Sequence, residues 1–193
     1  MNTEFKHRGY TVSVEQDPDP MNPREDDNIT GMALFHKRYR LGDLGHGYQS
    51  ADYQGWAQMA EAIRNKERPA LMKPVYMYDH SGLTISTTPF GCPWDSGQIG
   101  FCWITREKAK AELGIRRMTI RNNLKLDRTL EAEIKQYDEF LGGNVYATSI
   151  VDPMGGVSDF VGGYAREDVK DEQSYAVKEA FMVIDATINK EPT

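Results

Sequence analysis

Two short runs rich in β-branched and aromatic residues, Val75–Tyr78 and Leu83–Thr87, flank the turn-forming tetrapeptide Asp79-His80-Ser81-Gly82. Such a pair of runs across a compact turn specifies a β-hairpin. A hairpin commits its strands to antiparallel pairing, and short connections elsewhere extend that choice to their neighbours. Tyr10–Glu15 alternates as YTVSVE and reads as a strand; Gly31–His36, Ile99–Ile104 and Val145–Val151 read likewise, and DPMGG turns the last of these towards Val157–Tyr164. Helical spacing appears over Asp52–Lys66, where Trp56, Met59, Ala60 and Ile63 form one stripe and Pro69 and Pro74 bracket the exit. Thr105 is a natural N-cap, Glu107 suits a first turn and Gly114 a stop. Asp127 is the expected cap of a longer helix reaching Leu141, with Leu130, Ile134, Tyr137 and Leu141 on one side and Gly142-Gly143 at its end. A last helix runs from about Glu172 to Ile188 on Val177, Ala180, Phe181, Ile184 and Ile188. The expectation is a single α+β domain over residues 1–193, a mostly antiparallel sheet with about four helices packed against it.

The chain of 193 residues is long enough for a sizeable core, and its 39% hydrophobic and 27% charged residues are those of a globular protein. No apolar run approaches the roughly 18 residues that cross a bilayer. The start, MNTEFKHRGYTVSVEQ, lacks the apolar core of a secretory signal, so a cytoplasmic protein without a membrane partner is expected. A net charge of −6 argues against broad nucleic-acid binding. Lys108, Lys110, Arg116, Arg117, Arg121 and Lys125 form either a local basic patch or a solvated face. Cys92 and Cys102 are too few for a disulfide framework, and Cys102, between Phe101 and Trp103, reads as a small core residue.

Three places carry candidate chemistry. Residues 17–28 combine three prolines with Asp17, Asp19, Glu25, Asp26 and Asp27. Hard cations take six to eight oxygens from such loops, but the spacing lacks the glycine of a calcium loop. The competing reading is a turn in which Arg24 pairs with a neighbouring acid. Asp79, His80 and Ser81 place a carboxylate, a base and a hydroxyl side by side, yet adjacent turn residues point apart, so His80 needs Asp95 or Ser96 from elsewhere. Pro93-Trp94-Asp95-Ser96-Gly97-Gln98 is either a recognition loop or a self-packed loop whose tryptophan plugs the core. His36, His46, His80, Cys92 and Cys102 lack the close pairs of a structural zinc site, and no phosphate-binding loop or dinucleotide fingerprint is present, so no cofactor is expected.

The combination NPREDDN…HKRYRLGD and YDHSG…CPWDSGQ, continued in EIKQYDEFLGGNVYA, resembles an uncharacterised protein family carried by bacteriophages and other mobile elements. The resemblance implies a phage accessory role. It points to a non-enzymatic protein that binds a host protein or ribonucleoprotein in the host cytoplasm, such as an anti-defence, anti-CRISPR-like inhibitor. Trp94, Tyr76, Tyr78 and Arg24 are its candidate anchors, because aromatic and arginine side chains dominate interface energetics. The alternatives are a small enzyme acting on a nucleotide or nucleic acid through His80 with Asp79 or Asp95, and a divalent-ion protein built on the acidic loop.

Overall fold

The computed structural model describes residues 3–117 and 119–189. Among these, eight strands and four α-helices occur in an α+β arrangement, and the strands divide between two four-stranded antiparallel sheets where one sheet was expected. Two compact units result, one formed by the segments up to Met21 and from Gly143 onward, the other by Asn22–Gly142.

In the first unit, β1 (Thr3–His7) and β2 (Tyr10–Gln16) form a hairpin over Arg8 and Gly9, both at positive φ. β1 is not apparent in the sequence, since TEFKH alternates weakly and sits at the sheet edge. β2 pairs next with β7 (Val145–Val151), from Thr11↔Val151 to Gln16↔Tyr146. The far edge is β8 (Val157–Ala165). Where β2 ends, Asp17 N–H donates to the Val145 carbonyl (2.9 Å) and Gln16 Nε2 to the Gly143 carbonyl (2.7 Å). The last helix, which begins at Tyr175 and ends at Ile188, buries Val177, Ala180 and Ile184 against Val12, Val14, Tyr146 and Ile150.

The second unit carries the sheet order β3-β6-β4-β5, with β3 at Gly31–Leu34, β4 at Pro69–Asp79, β5 at Leu83–Ser86 and β6 at Ser96–Thr105. Every residue from Ile99 to Ile104 is buried, as expected of a strand covered on both faces. The pleat sends Cys102 and Ile104 to one core, with Met32, Val75, Met77 and Ile85, and Phe101 and Trp103 to the other, with Ala33. Between β3 and β4 the chain forms α1 (Trp56–Glu67), whose Met59, Ala60 and Ile63 cover the Trp103 face. After β6 come α2 (Arg106–Leu113) and α3 (Ile120–Leu141). α3 lays Leu126, Leu130, Ile134 and Tyr137 on the Cys102 face, each burial stabilising by about 1.5–3 kcal/mol. The final helix of the first unit is α4 (Tyr175–Ile188).

Several boundaries differ from the sequence expectation for identifiable reasons. Pro69 and Pro74 lie inside β4, because Pro69 opens the strand and β5 borders β4 only from Tyr76 to Asp79, leaving Pro74 on an edge stretch. α3 starts about two turns before Asp127, capped by Thr119, whose hydroxyl accepts from Asn122 N–H at 3.3 Å; Asp127 instead pairs with Lys73. Thr105 does cap α2, accepting from Lys108 N–H at 3.1 Å, and Gly114 ends it at φ +60°.

Candidate functional site

The β4–β5 hairpin closes over His80, Ser81 and Gly82, with Ser81 at φ +59° and His80 N–H donating to the Gly82 carbonyl at 3.2 Å. Next to it the 92–96 loop closes on itself: the Ser96 hydroxyl donates to the Cys92 carbonyl, and Cys92 Sγ lies 3.8 Å from Asp95 Oδ2. Asp79 N–H donates to the Asp95 carbonyl at 2.9 Å, fastening loop to hairpin. His80 Nδ1 faces Asp95 Oδ2 at 3.4 Å, with both side chains well exposed. Tyr78 packs between the rings of His80 (5.9 Å) and Phe90 (5.8 Å). Tyr76, half-buried, shares its face of β4, opposite the buried Val75 and Met77. Trp94 is 92% exposed at the tip of the loop, so it does not plug the core.

Of the catalytic candidates, His80 and Asp95 meet. Asp79 turns instead into an ion pair with Arg38, and the Ser96 hydroxyl is engaged within its own loop. A base and its orienting carboxylate are therefore present without an aligned hydroxyl nucleophile.

Arg24 is not available as an interface anchor. Its side chain is only 2% exposed. The guanidinium donates to Asp43 Oδ1 through Nη2 and Nε (2.7 and 2.9 Å), to Asn28 Oδ1 and Thr30 Oγ1 through Nη1 (3.0 and 3.1 Å), and to the Thr30 carbonyl through Nη2 (2.9 Å). Glu133 of α3 lies 3.3 Å from Nη1 and accepts from the Ile29 and Thr30 N–H groups. The fork shape of arginine suits it to such multiple contacts.

The acids of residues 17–28 do not form a cation cage. Asp17 accepts from Asp19 N–H at 3.0 Å and from Gly163 N–H at 2.9 Å in the first unit, while Glu25, Asp26 and Asp27 belong to the second. Among the described residues, no three His, Cys, Asp or Glu side chains are grouped to hold a metal.

One feature of the second unit is not evident in the sequence. The loop from Phe35 to Ser50 wraps an open cavity of about 610 Å³, floored by Phe35, His46 and Trp56 and rimmed by His36, Lys37 and Arg40. Gly42, Gly45 and Gly47, at φ +74° to +77°, give the loop its curvature. A Cβ on Gly42 would press on the Met32 carbonyl at 2.9 Å. The signal in the sequence was the glycine triplet beside HKRYR, but glycine spacing alone does not distinguish a pocket from a plain loop. Burial lowers the His46 pKa, so its ring is neutral at pH 7. No helix among the described residues is long and apolar enough to cross a membrane. No protein-family model matches the chain, and neither a curated protein nor a solved structure matches it.

Proposed function

We propose that this chain is a non-enzymatic phage accessory protein that occupies a surface of a host protein in the cytoplasm, in the manner of an anti-defence inhibitor, and that Trp94 is its principal anchor. The observation that carries this reading is the 92% exposure of Trp94 on a loop tied to the hairpin beside it. A soluble protein gains nothing in its own fold from a tryptophan held in water, whereas burying one against a partner removes about 150–250 Å² of surface. The loop is already ordered, so association sacrifices little conformational entropy. Asp79, paired with Arg38 and donating its N–H to the Asp95 carbonyl, joins polar groups to the loop that carries the anchor.

Affinity capture from host lysate tests this. The wild-type chain is expected to retain a defined host protein, and Trp94→Ala, which leaves the melting temperature unchanged, is expected to weaken that complex by about 2 kcal/mol or more, roughly thirtyfold. Failure to capture any protein from both infected and uninfected lysates defeats the proposal. So does a partner held equally by Trp94→Ala.

A second reading rests on the His80–Asp95 pair alone: a small enzyme acting on a nucleotide or nucleic acid, with His80 as the proton-transfer group and Asp95 orienting it. It requires that His80→Ala abolish activity while the melting temperature holds. A variant that keeps its activity, or that loses only stability, removes this reading.

A further inference from the structure

We propose that the cavity of the second unit binds a planar ring bearing a phosphate, that is, a nucleotide. The cavity volume of about 610 Å³ lies within the roughly 300–1,000 Å³ of ligand clefts.

Its charge is positive despite the acidic chain. Lys37 and Arg40 form no ion pair among the described residues, and both are exposed at the rim. The acid in the wall, Asp43, is engaged from behind: Oδ1 takes the Arg24 guanidinium at 2.7 Å and Oδ2 takes Met32 N–H at 2.7 Å. Arg38, between the two free cations in sequence, is spent on Asp79. Two uncompensated cations remain beside an apolar floor.

The two histidines add donors of defined tautomer. Tyr48 N–H donates to His46 Nδ1 at 3.1 Å, and Arg38 N–H donates to His36 Nδ1 at 3.3 Å. With Nδ1 accepting, each ring carries a hydrogen on Nε2 and presents a donor there. The floor is aromatic: Phe35 meets His46 edge to face at 5.2 Å and Trp56 at 6.4 Å, and Trp56 is itself held against Phe101 at 6.0 Å. Aromatic faces accept a nucleobase whatever its sequence identity, and cations and imidazole N–H groups suit phosphate oxygens. This recognition uses stacking and side-chain charge, and needs no glycine-rich phosphate loop.

Titration calorimetry on the full chain tests the proposal with adenosine monophosphate, uridine monophosphate, adenosine, inorganic phosphate and a short oligothymidylate. Both mononucleotides are expected to bind, with adenosine and inorganic phosphate each weaker by about tenfold or more, because each lacks one half of the recognition. Equal affinity for the mononucleotide and the oligonucleotide identifies a free nucleotide as the ligand; an oligonucleotide tighter by about tenfold identifies a nucleic-acid strand. The double substitution Lys37→Ala/Arg40→Ala touches only exposed side chains, so it is expected to keep the wild-type melting temperature and lose at least about tenfold in nucleotide affinity. No heat with any nucleotide at millimolar concentration overturns the proposal. Phosphate binding as tightly as the nucleotides, or unchanged affinity in the double variant, overturns it equally. None of these outcomes depends on Trp94 or on a host partner.

Discussion

Arg24→Met is expected to be the most damaging single substitution in the second unit, lowering stability by about 3–5 kcal/mol and the melting temperature by roughly 6–20 °C. The cause is what the change leaves behind. Methionine roughly fills the space, but Asp43 and Glu133 then keep their charges with no cation between them, at side-chain exposures of 28% and 14%. The Asn28 side chain and the Thr30 carbonyl also lose a donor. Four segments separate together, because this one guanidinium joins the Pro23–Glu25 turn, the start of β3, the Asp43 loop and α3. Arg24→Lys is expected to fall between, since an ammonium keeps the charge and loses the fork. Adding Asp43→Asn to Arg24→Met should restore part of the loss by removing one stranded charge. Thermal unfolding decides the matter: a melting temperature for Arg24→Met within about two degrees of wild type would show that the network contributes little.

Gly100→Ala is expected to cost about 2–3 kcal/mol, the upper part of the range for overpacking. Gly100 pairs with Leu34 where β3 crosses β6, and a methyl group there would collide with the Ala33 carbonyl and sit 3.0 Å from the Leu34 Cα. These are backbone atoms, so no rotamer change relieves the contact; the strands must part or shift register. Gly97→Ala is the matched control. It lies in the same strand, and its new methyl group meets nothing within 4 Å. There the lost freedom of the unfolded chain should stabilise by about 0.4–1 kcal/mol, or leave stability unchanged. Denaturant midpoints that move together for the two variants would refute the close-approach account.

The elements that were legible in the sequence are those whose cause is local. The DHSG hairpin, the Thr105 cap, the Gly114 stop and the stripe of Leu130, Ile134 and Tyr137 each depend on residues within a few positions of one another. What was not legible depends on distant partners. Arg24 looks like a surface cation until Glu133, 109 positions away, meets it. The division of strands between two sheets turns on β2 choosing β7 across the whole second unit, a choice the alternation of YTVSVE does not encode. Trp94 is apolar enough for a core, and only the closure of its loop by Ser96 and Cys92 shows that it points outward. The cavity was illegible for another reason: its lining lies within residues 34–56, but glycine spacing there does not show whether the loop curls into a pocket.

The pairing of β2 with β7 has a genetic corollary. The strand partners Gln16 and Tyr146 bound a long excursion that leaves and rejoins one end of a finished ladder. A linker of about two to five residues suffices to join antiparallel neighbours at such a place. Deletion of the codons for Asn22–Gly142 would therefore remove one compact unit without severing any hydrogen-bonded pair of the outer ladder.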